Sequence, residues 1–497
     1  MAEQSDCVTV DRLGWAVLAI VTLVLLAGCA GVERRQSEDC SQWFQLLDEA
    51  VDGAGVRDAG AYRIPGFPYL RADRFWASFR GEVMHDPAGF DTWVARLRTL
   101  DAIARSYELR NLPAPLLATL GVADPRAALA KSDSCAAELS RADLAASAQR
   151  AALVAHAEVP DDYNEWHRVV GLYPLATLPF SIAINRWQDE TVGTFRLAAA
   201  GEPVTERIVR YEPRGPPPLG TGEIAAMLAE TRSDRVGVPQ LGRDEQERLF
   251  LTFAPVFEIA TSSDHDRFGP LSWAMGPTPA VNIGHPTVYR RLAFTRYGER
   301  ILIQLIYTIW FPDRPKQSSL DLLAGRLDGL VFRVTLDPRG SPLVYDTIHP
   351  CGCYHMFFPT ARVKEKPSPR PGIEWAFVPA TLPAVDLSWR IVLHVASRSH
   401  YLDNLSFDTG GNGTVYWFAE DNDLRALPAV DGTTRSAFGQ DGIVPGTERG
   451  ERLLFWPTGV EDTGAMRQWG RHATAFLGRR HFDDPDLIER RFSIVEQ

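Results

Sequence analysis

Between Tyr211 and Gly222 the chain reads YEPRGPPPLGTG, and no regular element can run through it. Consecutive prolines remove backbone donors and fix an extended path, so both a helix and a central strand must stop here. The apolar pattern differs on the two sides, with helical spacing before the run and strand-like, β-branched segments after it. These signals predict an α+β protein, an N-terminal helical domain followed by a mainly antiparallel β domain with a C-terminal helix. The expected divisions are a helical domain over 29–212, a Pro-rich linker and short helix over 213–240, and a β-rich domain over 241–497.

In the first half, Asp86-Pro87 offers an N-cap with proline at the first helical position. Phe90, Trp93, Val94, Leu97, Leu100, Ala104 and Tyr107 then recur at helical spacing until Pro113. An Ala-rich helix is expected from about Ser134 to Ala157, ending before Pro160. The segment DDYNEWHRVVGLYPLATLPFSIAINRW reads as two helices broken at Gly171 to Pro174. Tryptophans 43, 76, 93, 166 and 187 are expected to anchor the core of this half.

In the second half, TVYRRLAFTRY and RILIQLIYTIWF are dense in β-branched and aromatic residues and meet at Gly298-Glu299, the signature of a hairpin. GLVFRVTL and PLVYDTI are joined by Asp337-Pro338-Arg339-Gly340, which matches a type I turn. SWRIVLHVAS supplies another strand. Beyond Tyr401 the texture is loop-rich until an expected helix at Ala465 to Leu477, with Met466, Trp469, Ala473, Phe476 and Leu477 on one face. A short final helix follows Asp484-Pro485.

The strand PLVYDTI runs directly into HPCGCYH, which gathers His349, Cys351, Cys353 and His355 within seven residues. Along a straight strand the two histidines would stand about 20 Å apart, too far for one ion, but Pro350 and Gly352 permit a turn that folds the four side chains inward. Soft thiolates with imidazoles form a donor set suited to zinc, copper or iron. The same Cys-x-Cys pair is equally a redox-reactive or a structural disulfide. Further ligands would come from His285, His394, His400, His472 and His481, each of which reads equally as a hydrogen-bonded structural histidine, and Asp264-His265-Asp266 reads either as carboxylates that orient an imidazole or as a solvated turn. There is no GxSxG elbow, and no phosphate-cradling glycine loop follows a strand.

At the N-terminus an apolar run from Leu13 to Ala27 ends in Leu26-Ala27-Gly28-Cys29. This resembles the lipobox of a bacterial lipoprotein signal peptide, and the run is short for a membrane-spanning helix. The resemblance implies removal of residues 1–28, acylation of Cys29, and a body facing the periplasm of the cell envelope, held to the membrane by its lipid. In that oxidising compartment the remaining cysteines pair most naturally as Cys40 with Cys135, leaving Cys351 and Cys353 as a second disulfide or as a free or metal-bound pair. A formal net charge of −11 argues against nucleic acid as a partner. Two functional expectations follow: a metal-binding or redox protein centred on residues 349–355, or a non-enzymatic envelope module that binds a protein or small molecule.

Overall fold

The computed structural model describes residues 37–495 apart from 202–204, 217, 275, 277 and 384–386. The expected leader and Cys29 lie outside the described residues.

Helices dominate the first part of the chain. They include α1 over 37–53, α2 (Pro87–Asn111), α3 (Pro125–Asp143), α4 (Ser147–His156) and α5 (Tyr173–Ala199). Asp86 caps α2 by accepting from Ala88 N, with Pro87 at the helix start, and Phe90, Trp93, Val94 and Leu97 pack into one core with Trp43 and Trp76. The same Asp-Pro device at Asp124-Pro125 starts α3 well ahead of Ser134, where the Ala-rich helix was expected to begin. That helix is also interrupted: α3 stops at Asp143, and the Leu144 carbonyl accepts from Arg150 Nε at 2.7 Å instead of continuing the ladder. Cys40 of α1 and Cys135 of α3 form a disulfide with a Cα–Cα distance of 5.1 Å. Two of the five expected core tryptophans are placed elsewhere. Trp166 is 71% exposed, and Trp187 on α5 packs against the sheet's core.

The sheet has ten strands: β1 (Ile208–Pro213), β2 (Val256–Ala260), β3 (Thr287–Tyr297), β4 (Arg300–Arg314), β5 (Gly325–Leu336), β6 (Pro342–Ile348), β7 (Met356–Pro359), β8 (Arg390–Val395), β9 (Leu402–Asp408) and β10 (Thr414–Glu420). Their spatial order is β7-β6-β5-β4-β3-β10-β1-β2-β8-β9. Pairing is antiparallel except where β10 lies between β3 and β1 and where β2 meets β8. The continuous apolar run of β4 is explained by its position, since Ile301 to Phe311 are buried on both faces. Gly298 at φ 58° makes the β3–β4 turn. Gly340, at φ 79°, donates to Asp337 O at 2.9 Å and closes the β5–β6 turn, as the sequence implies.

The expected helix at 465–477 does not form. Gly464 and Gly470 both adopt φ 87°, and the backbone donors there go to distant partners: Arg467 N to Pro350 O, Gln468 N to Gly442 O and Phe482 N to His472 O. The apolar residues that mimic a helical face are instead spread along an irregular strap that wraps the 349–355 loop. The final helix, α6 (Leu487–Arg491), follows it, and its Leu487 and Ile488 pack beneath β6 and β7.

Candidate functional site

The HPCGCYH segment is the turn between β6 and β7. His349 N donates to Cys353 O at 3.0 Å and Gly352 N to His349 O at 2.8 Å, so the chain reverses over five residues and β7 pairs back onto β6. Gly352, at φ 90°, is obligatory here because a Cβ would overlap the Ala473 carbonyl of the strap. Tyr354 carries the reversal at φ 61°.

This turn does not bring the four expected ligands together. His349 Nδ1 lies 3.1 Å from Asp328 Oδ1, whereas His355 Nε2 lies 2.9 Å from Asp346 Oδ2. Asp346 pairs across the ladder with Arg333, whose Nε donates to it at 2.9 Å. Asp328 and Arg333 are five residues apart on β5. The two carboxylates are therefore about 16 Å apart along the strand and on opposite faces of the sheet, because the side-chain period is two. Each histidine is committed to its own carboxylate. Among the described residues no group of three or more His, Cys, Asp or Glu side chains is arranged to hold a metal ion. Between the histidines, Cys351 and Cys353 are buried free thiols. A hydrogen bond from the Cys353 thiol holds Cys351 below its ordinary pKa, helped by the Arg449 charge, and raises Cys353 well above its own.

Asp328 organises a second cluster that spacing in the sequence does not reveal. Its Oδ2 is 3.0 Å from His400 Nδ1, and its Oδ1 faces both His349 and Arg449 Nη2, the latter at 3.4 Å. His400 Nε2 lies 3.4 Å from Asp266 Oδ1, and its ring stacks on Phe311 with centroids 3.9 Å apart. Burial disfavours charge on all three groups. Hydrogen bonding and ion pairing prevail, so Asp328 and Asp266 are held below the usual carboxylate range and the pKa of His400 is raised. Of the Asp264-His265-Asp266 turn, only Asp266 faces this imidazole. The backbone around the cluster is strained, with Leu327, Arg398 and His400 at φ 54°, 59° and 53°. Such strain persists only where surrounding contacts over-determine it. The Arg398 N–H, donating to Asp266 at 2.6 Å, is one of those contacts.

Beside this charged block lies an apolar cavity of about 280 Å³. Helix α5 forms one wall through Ala183, Ile184 and Trp187, and the strap forms another through Ala473 and Phe476. Cys353, Tyr354 and Tyr401 line it from the side of the Asp328 cluster. The aromatic walls interlock: Trp187 is 5.4 Å from Tyr354 and 5.1 Å from Phe377, and Tyr354 is 4.6 Å from Tyr401. Two carboxylates line the same space. Glu374 is satisfied, accepting from Phe476 N at 2.5 Å and Leu477 N at 2.9 Å. Glu451 is only 5% exposed, no described residue donates a hydrogen bond to its carboxyl, and the carboxyl oxygens keep accessible surface at the cavity wall. Burial raises its pKa to about 7, against the opposing pull of Arg449 and Arg314.

No protein-family model matches this chain, and comparison with curated proteins and with solved structures finds none similar to it. The functional reading therefore rests on the geometry alone. Glu451 sits in the charged run ERGER, which in sequence reads as a solvated loop, and Trp187 reads as one more core aromatic. The only local hint of the cavity is the presence of Cys353 and Tyr354 in the HPCGCYH turn.

Proposed function

We propose that the protein is an envelope binding module that takes up a small, largely apolar molecule in the cavity between α5 and the 465–482 strap. The observation carrying this reading is Glu451, a carboxyl that faces a largely aromatic-walled cavity and accepts no hydrogen bond from a described residue. A carboxyl that no protein donor meets is open to a ligand, and largely apolar cavities with a few directed polar groups are the usual form of small-molecule sites. The neutral fluorescent probe N-phenyl-1-naphthylamine tests it. Its emission should rise on saturable binding, and Ala183→Trp or Ala473→Trp, which fill the space, should abolish the rise while leaving circular dichroism unchanged. A probe response insensitive to both substitutions would refute the reading.

A second reading is favoured by the state of the two thiols. Cys351 and Cys353 are free, in contact with one another, and Cys353 lines the cavity. In this reading one thiolate attacks a small-molecule disulfide, expelling one thiol. The neighbouring cysteine then displaces the second, leaving a Cys351–Cys353 disulfide and two reduced small thiols. Thiol trapping and mass spectrometry after exposure to oxidised glutathione should find the pair oxidised, with Cys353→Ser held as a mixed disulfide at Cys351. Two thiols that stay reduced would dismiss it.

The anchoring we propose is the acylated Cys29 implied by the lipobox resemblance, with the cell envelope as location. Cys29→Ser should move the protein from the membrane fraction to the soluble fraction. Retention in the membrane fraction would contradict acylation as the anchor.

A further inference from the structure

We propose that the ligand of this cavity is a small organic ammonium, an alkyl or arylalkyl amine whose apolar body lies between the aromatic walls and whose NH₃⁺ donates to Glu451. The proposal rests on the preceding reading that the cavity binds an apolar small molecule, and adds the chemical class.

The argument is an asymmetry between the charged groups at the cavity. Its cation is already saturated. Arg480 donates through Nε to Thr474 Oγ1 at 2.9 Å, through Nη1 to Trp375 O at 2.6 Å and through Nη2 to Thr474 O at 2.5 Å. The two arginines behind the wall are engaged through their terminal nitrogens. Arg449 donates to Leu323 O at 2.7 Å and Leu327 O at 2.9 Å, and Arg314 donates to Ser399 O at 3.3 Å and to the Tyr401 hydroxyl at 3.2 Å. Each of these two keeps a buried Nε without a partner, but neither lines the cavity, so the guanidinium an anionic ligand would meet is that of Arg480, whose nitrogens already donate. Glu451, by contrast, has its charge disfavoured by burial and only partly compensated by Arg449 and Arg314, neither of which donates a hydrogen bond to it. A ligand bearing N–H donors and a positive charge supplies what is missing, and a charge-assisted hydrogen bond is roughly twice as strong as a neutral one.

The walls fit the same class. Trp187, Tyr354, Trp375, Phe377, Tyr401 and Phe476 surround the space, and the negative faces of aromatic rings attract a cation as well as packing an alkyl chain. The size of about 280 Å³ lies near the lower end of ligand pockets, which limits the guest to a small molecule. The position of the carboxyl is itself constrained, because the backbone of Gly464 packs directly against Glu451 Oε1.

Displacement of N-phenyl-1-naphthylamine from the full chain at pH 8 by octylamine, 1-octanol and octanoate tests the class. Octylamine should displace the dye at about tenfold lower concentration than 1-octanol, the worth of one charge-assisted hydrogen bond, and octanoate should be weakest. Glu451→Gln, which keeps size and shape, should bring octylamine and 1-octanol to within about twofold of each other, whatever its own affinity for the dye. A dye that never binds defeats the underlying cavity reading. A dye that binds and is displaced equally well by the alcohol, or better by the carboxylate, overturns the ammonium proposal alone, as does a Glu451→Gln protein that keeps the amine preference.

Discussion

Gly464 and Glu451 touch in a way that no larger residue at position 464 would allow: a Cβ there would overlap the Glu451 carboxyl oxygen, and Gly464 holds φ 87°. The carboxyl is thus positioned by the absence of a side chain in the strap. Gly464→Ala should lose more than about 1 kcal/mol of stability from the left-handed backbone alone. It should also displace the carboxyl, so that the preference for octylamine over 1-octanol shrinks. Thermal unfolding and dye displacement on the same sample check both effects.

His481 should give the protein a stability that declines in mild alkali. Burial disfavours its charge, but hydrogen bonding to Asp161 and Asp484 raises its pKa to about 9. A histidine raised in the folded state stabilises fully below its unfolded value of about 6.5 and loses that contribution as pH climbs through about 9, at most about 3 kcal/mol here. Urea unfolding at pH 6 and pH 9.5 should show the decline. His481→Gln should flatten most of it, with a residual slope of the same sign from His400, whose pKa is also raised.

Asp328→Asn removes the charge that faces His349, His400 and Arg449 together. Deleting one partner of a buried ionic cluster leaves the others uncompensated and typically loses about 3–5 kcal/mol. Equilibrium unfolding should show a loss of that order. A loss below about 1 kcal/mol would mean that Asp328 does not organise the cluster.

Reductant should act on the helical part of the chain. The Cys40–Cys135 link joins residues 95 apart, and for a loop of this length the chain-entropy model gives about 4–5 kcal/mol at most. The melting temperature should fall on reduction in the wild type and in Cys351→Ser, and should be insensitive to reductant in Cys40→Ser.

Where local chemistry decides the structure, the sequence was legible. The Asp86-Pro87 start of α2, the Gly298 and Asp337–Gly340 turns, and the strands dense in β-branched residues all form where residues close in the chain dictate. The α+β arrangement follows from them. Reading failed where partners come from far away. The strap at 465–482 has helix-like apolar spacing, but glycines with positive φ and acceptors on Pro350 and Gly442 override it. The diverging histidines were hidden for the same reason. Whether His349 and His355 meet depends on which faces of β5 and β6 hold Asp328 and Asp346, and that register is fixed by the sheet and not by the spacing within HPCGCYH.

The position of a single heavy atom tests the central claim most directly. In crystals of the full chain grown with 8-bromooctylamine, the anomalous signal of bromine should appear in the cavity among Trp187, Phe377 and Phe476, with the amine nitrogen within hydrogen-bonding distance of Glu451. Bromine bound elsewhere, or a cavity that stays empty at saturating amine, would contradict the account.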